Sequence, residues 1–142
     1  MTTPNSRKIE LNAMSLKITL KSNERLIVGG AVVRNGGKGT VLFIENTIPI
    51  LREKDILGEK DANTPCKRVY FTIQLMYIDE PNVPQYRSAY AELASEVLKA
   101  APSTASFVEQ INERIETGNY YQALKTAKNL IDYEEELLKN AN

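Results

Sequence analysis

Histidine is absent from this chain of 142 residues, and so is tryptophan. Without an imidazole there is no Ser-His or Cys-His catalytic pair and no His-containing zinc site. The single cysteine, Cys66, has no partner for an internal disulfide, and a lone thiol fits a reducing compartment. No run of about 18 apolar residues occurs, and residues 1–13, MTTPNSRKIELNA, lack the apolar core of a signal peptide. A cytoplasmic protein with no membrane partner is expected. No carboxylates have the spacing of a calcium loop, so no metal site is expected.

The formal charge cancels, with 18 Lys and Arg against 18 Asp and Glu, but its distribution is uneven. Residues 1–68 carry 12 basic and 7 acidic side chains (+5), and residues 69–142 carry 6 and 11 (−5). A basic front and an acidic back suggest an anion-facing surface at one end, nucleic acid among the candidates, although scattered solvated charges give similar sums. The length suits one ordinary domain or two small lobes.

Met14 opens the first patterned segment, so residues 1–13 are read as a flexible extension, residues 14–57 as a β module and residues 58–142 as a helical module. In LKITL, Leu16, Ile18 and Leu20 share one face while Lys17 and Thr19 share the other, the period of a half-buried strand. KSNE then turns the chain into RLIV, and GGAVV, TVLFIEN and TIPIL follow, each short and bounded by Gly, Asn or Pro. Pro49 removes a ladder donor and makes the last strand an edge. The expected front is a small antiparallel meander or barrel of about five strands.

Residues 65–79 are ambiguous: Val69, Phe71, Ile73 and Leu75 alternate like a strand, while Tyr70, Ile73 and Tyr77 recur like a helix. Thr64 before Pro65 favours a helix, as a hydroxyl N-cap followed by proline. Tyr86, Tyr90, Leu93 and Val97 then mark an amphipathic helix. Pro102 ends it, Ser103 is placed to cap the next, and Phe107, Val108, Ile111 and Ile115 form that helix's stripe up to Gly118. Asn119 is placed to cap a last helix to about Lys139, with Tyr120, Leu124, Ala127, Ile131 and Leu138 on one face. The fold class is therefore α+β, with a bundle of three to four helices after the strands.

The stretch RNGGKGT, residues 34–40, raises the question of phosphate binding. A P-loop needs glycine six places before the lysine and Ser or Thr directly after it, and Val32 and Gly39 stand there instead. The structural reading is a hairpin in which Gly36, Gly37 and Gly39 supply positive φ. The other reading is a Gly-x-x-Gly loop, whose bare backbone allows close approach of a sugar-phosphate chain while Lys38 adds a charge.

LKITLKSNERLIVGG resembles the first two strands of the CsrA family of messenger-RNA-binding translational repressors, through Leu16, Ile18, Thr19, Glu24, Leu26 and Gly29. That family also has a Gly-x-Lys-Gly loop, as at Gly36–Gly39, and a closing stretch similar to LREKDI at Leu51–Ile56. Leu20 stands where that family has an arginine, and Leu51 where it has a histidine. Over its whole length from Met14 the chain is similar to the FlbT family of flagellum-biosynthesis repressors, through GGAVVRNGG, ENTIPILREKDIL, TPCKRVYFTIQLMYID and YYQALKTAKNLIDYE.

The resemblance implies a non-enzymatic cytoplasmic regulator, without cofactor, that binds the 5′ untranslated region of flagellin messenger RNA and lowers its translation or lifetime. The candidate RNA-binding residues are Lys17, Thr19, Lys21, Arg25, Arg34, Gly36, Lys38, Gly39, Arg52 and Lys54. Arg52 has the guanidinium suited to phosphate or to stacking on a base, against the competing reading of an ion pair with Glu53 or Asp55. In the CsrA family the outer strands are exchanged between two chains, and that resemblance implies a homodimer. The alternative is an adaptor or chaperone that holds flagellin or another flagellar protein partner in a groove lined by Tyr86, Tyr90, Phe107 and Tyr120.

Overall fold

A computed structural model describes residues 15–141, so the extension expected over residues 1–13 lies outside the described residues. The architecture is α+β, with five antiparallel strands followed by four helices, and the chain divides into a unit ending at Ile56 and a unit beginning at Leu57.

The strands are β1 (Leu16–Leu20), β2 (Arg25–Val28), β3 (Ala31–Arg34), β4 (Thr40–Ile44) and β5 (Ile50–Arg52). They form two small sheets, β1-β4 and β3-β2-β5, so the expected meander or barrel takes the form of a two-layer arrangement in which only β2 and β3 are consecutive neighbours. The alternation in LKITL explains the first layer. Ile18 and Leu20 are buried with Leu26, and Val28, Leu42, Ile44 and Ile50 pack against them. Lys17 and Thr19 face outward and pair across the ladder with Phe43 and Val41.

Gly29 and Gly30, expected at the start of a strand, are instead the two-residue hairpin between β2 and β3, with φ of 56° and 89°. Positive φ at both positions is what that turn demands, and a Cβ on Gly29 would stand 2.4 Å from Ile48 Cδ1. β5 pairs only with β2, the edge position that Pro49 implies.

The helices are α1 (Pro65–Ile78), α2 (Val83–Ala100), α3 (Ala105–Glu116) and α4 (Tyr120–Asn140). α1 packs on α2 and α4, and α3 packs on α4. The ambiguous segment is helix because its start is fixed twice. Thr64 Oγ1 accepts from Lys67 N at 3.2 Å, and Glu134 of α4 accepts from Thr64 Oγ1 at 2.6 Å and from Cys66 N at 3.2 Å. A carboxylate at a helix N-terminus satisfies amides that have no intrahelical partner.

Two expected caps are absent. Ser103 lies in the 3-10 turn Pro102–Thr104 and accepts from Tyr133 Oη at 2.6 Å, while Asn119 makes no side-chain cap bond. In each case the chain turns by backbone bonding instead, with Gly118 at φ 75° after α3. The buried stripe of α4 runs through Ala123, Leu124, Thr126, Ala127 and Leu130, while Leu138 remains 54% exposed.

Burial, reinforced by the Glu134 carboxylate, pushes the Cys66 thiol up to about 12, so it stays protonated well above neutral pH. In the native protein at pH 8, alkylation of Cys66 by iodoacetamide is expected to be at least about 100-fold slower than that of free cysteine, since the thiolate is the nucleophile. Thr64→Ala is expected to cost about 1–2 kcal/mol in urea unfolding. Native-state alkylation at the free-thiol rate, or an unchanged unfolding midpoint, would contradict this account of the helix start.

Candidate nucleic-acid interface

The loop RNGGKGT is not a hairpin. It carries the chain from β3 in one sheet to β4 in the other, and Gly36, Gly37 and Gly39 all lie outside the positive-φ region. Asn35, not the glycines, fixes its course. Asn35 Nδ2 stands 3.1 Å from Leu20 O, 3.2 Å from Lys21 O and 2.8 Å from Lys38 O, and Asn35 Oδ1 accepts from Gly37 N at 3.1 Å. Its backbone adds two more bonds, Asn23 N to Asn35 O at 2.6 Å and Asn35 N to Glu24 O at 2.9 Å. One residue thus ties the β1–β2 turn to the β3–β4 crossing.

The tie brings Lys21 and Lys38 to the same rim of the strand unit. Lys38 precedes Thr40, the residue paired with Leu20, and Lys21 follows Leu20 directly. Arg34 reaches the turn as well, with Nη1 donating to Asn23 Oδ1 at 3.0 Å. Arg25 stands directly opposite Arg34 across the ladder, a like-charge pair that is unfavourable unless an anion offsets it. Glu53 does so in part, accepting from Arg25 N at 2.7 Å and lying 3.5 Å from Arg25 Nε.

Arg52 Nη2 donates to Thr19 O at 3.1 Å, linking the β5 edge to β1 across the two sheets. Its guanidinium therefore has a structural bond in addition to any ligand role. Lys54 lies in the 3-10 turn Glu53–Asp55, and Lys17 projects from the outer face of β1. Every one of the ten candidate residues is exposed. Residues 15–56 hold seven Lys and Arg against four Asp and Glu.

Glycine at positions 36, 37 and 39 meets no demand of the fold. A Cβ there would find its nearest neighbours at 4.0, 3.9 and 3.8 Å, ordinary contact distances. What the glycines leave is bare backbone beside Lys38, open to close approach. Sequence reasoning passed over Asn35, although Asn two residues before an accepting turn is a recognised signal. Phe43, the one aromatic that the strand segment offers for stacking, is 60% exposed on the outer face of β4.

In the helical unit a groove of about 420 Å³ lies between α2 and α3, lined by Tyr90, Ala94, Val108 and Ile115 among others. Tyr90 Oη donates to Asn112 Oδ1 at 2.6 Å, and burial raises its pKa above the usual phenol value. Of the four aromatics expected in a partner groove, only Tyr90 lines it. Tyr86 donates instead to Asp79, Phe107 packs on Tyr133 at 5.2 Å between ring centroids, and Tyr120 lies elsewhere. Among the described residues, no group of His, Cys, Asp and Glu is placed to hold a metal ion, and no helix is long and apolar enough to cross a membrane.

The family model described as "Flagellar protein FlbT" matches residues 16–138. The chain is 45% identical over 125 residues to the "Probable flagellum biosynthesis repressor protein FlbT 1" of Bradyrhizobium diazoefficiens, covering 87% of this chain and 85% of that one. It is 41% identical to the corresponding protein of Rhodopseudomonas palustris, covering 88% and 98% of the two chains. It is 34% identical to the "Flagellum biosynthesis repressor protein FlbT" of Caulobacter vibrioides, covering 88% and 90%. No solved structure matches.

Asn35→Asp removes every donor of the side-chain amide and places a carboxylate against three carbonyl oxygens. It is expected to lower stability by about 1–3 kcal/mol, the cost of acceptors left unpaired, and to speed hydrogen exchange at Gly37 and Asn23. Exchange at those two amides matching wild type would show that Asn35 does not hold the loop.

Proposed function

This chain belongs to the FlbT family of flagellar proteins, and we propose that it represses flagellum biosynthesis by binding the 5′ untranslated region of flagellin messenger RNA and lowering its translation or lifetime. The names of the curated relatives support repression, and a regulatory role without catalysis goes with it. What carries the RNA reading is the clasp at Asn35. It gathers Lys21, Arg34 and Lys38 beside three glycines that the fold does not require.

The chemistry suits a single-stranded leader. Lysine and arginine at the rim supply the counterion-releasing contacts to phosphate, and the unhindered backbone of Gly36 and Gly37 admits the sugar-phosphate chain. Arg52 adds a planar fork of donors, of which one is committed to Thr19 O. A homodimer belongs to the same proposal: among the described residues β3 is an edge strand, and it carries Val32 and Val33 at 64% and 40% exposure, so a second copy would cover both edge and side chains. The adaptor reading rests on the α2–α3 groove alone, where three of its four expected aromatics are missing.

Lys38→Ala is expected to weaken binding of the flagellin leader RNA several-fold at low salt, and to reduce the slope of log K against log salt by about 0.7 for the lost phosphate contact. Its urea midpoint is expected to stay at the wild-type value. Arg52→Ala is expected to weaken binding and to lower stability by about 1 kcal/mol for the lost bond to Thr19. Unchanged affinity of both variants in a gel-shift assay at low salt would remove the rim from the RNA site.

A further inference from the structure

Phe43 is the only aromatic residue of the strand unit, and at 60% exposure it exceeds the other exposed aromatic of the described chain, Tyr121 at 37%. Tyr121 is engaged: its ring lies 5.7 Å from that of Tyr77, and Lys125 Nζ sits 5.2 Å from its centroid. Phe43 has no ring or cation partner among the described residues. Its ladder partner is Lys17, and the next outward pair is Thr19 with Val41. These four side chains lie on the outer face of the two-stranded sheet, and Glu45 follows β4 directly.

We infer that this face is a stacking platform for an unpaired nucleobase, with the base on Phe43, an adjoining phosphate at Lys17 and the Thr19 hydroxyl within reach of a base edge. The inference rests on the RNA reading above and adds a ligand class to it: single-stranded RNA, in preference to duplex. An exposed phenyl ring presents a π-face that any base can cover, and a cross-strand lysine supplies the charge that a base without its phosphate would not need. A second copy of the chain is the competing occupant. It is disfavoured because an apolar contact between copies would desolvate the Lys17 ammonium beside Phe43, a charge that a backbone phosphate would instead meet.

The chain lacks tryptophan, so Phe43→Trp introduces a single indole at the proposed platform. Short oligoadenylate is expected to quench its emission, and the oligoadenylate–oligouridylate duplex at equal concentration is expected to leave it unchanged. Phe43→Leu is expected to bind the flagellin leader about tenfold more weakly than wild type with the same salt slope, because stacking and not charge is lost. Phe43→Tyr is expected to retain wild-type affinity. If Phe43→Leu binds as wild type while Lys38→Ala is weakened, the platform is wrong and the RNA reading stands. If the wild-type chain binds no RNA at low salt, both fall. A change in molar mass of Phe43→Leu in sedimentation would assign the ring to a contact between copies and overturn the platform.

Discussion

The side-chain amide of Asn35 is the constraint on which the rest of the strand unit's surface depends. The β3–β4 connection leaves one sheet and enters another with no ladder of its own, and its Lys38 carbonyl converges on the Asn35 amide with the carbonyls of Leu20, at the end of β1, and Lys21, in the β1–β2 turn. The Asn35 amide, its two N–H donors shared among the three, helps close the turn at Lys21–Glu24 against the crossing loop. The cationic rim is the consequence. Without that amide, only the backbone bonds of Asn35 and the bond from Arg34 to Asn23 tie the turn that carries Lys21 to the crossing that carries Lys38.

The division of labour follows from composition as well as geometry. The described strand unit has an excess of cations and the helical unit, from Leu57 onward, an excess of acids, with 13 Asp and Glu against 9 Lys and Arg. An excess of one sign on a thin unit favours a polyanionic ligand and repels the wrong partners over about a Debye length. The thin core, centred on Ile18, Leu20 and Leu26, leaves little room for a buried pocket, so recognition falls to the sheet surface and the loops. The helical unit, by contrast, is stapled by Glu134, whose carboxylate holds the start of α1 from the far end of the chain.

Much of this was legible in the sequence. Alternation in LKITL placed Ile18 and Leu20 in the core and Lys17 and Thr19 outward, although Leu16, expected on the buried face, is 49% exposed, and Thr64-Pro65 resolved a segment whose apolar spacing fitted two structures equally. The partial failures share a physical cause. Gly36, Gly37 and Gly39 look like turn residues, yet the turn that needs positive φ is Gly29-Gly30, because only there does the chain reverse within one sheet in two residues. Ser103 and Asn119 have capping side chains, but local preference yields where a tertiary partner or a backbone bond is available, as Tyr133 is for Ser103. Asn35 was unreadable as a clasp because its partners at Leu20 and Lys21 are 15 and 14 residues away, and spacing does not reveal which loops meet.

The claim at the centre of this account is that RNA meets the strand unit. Ultraviolet crosslinking of the full-length protein to flagellin leader RNA, followed by mass-spectrometric identification of the attached peptides, tests it most directly. The account predicts crosslinked peptides drawn from the stretch between Lys17 and Lys54. Crosslinks confined to peptides of the four helices, or none at low salt, would contradict it.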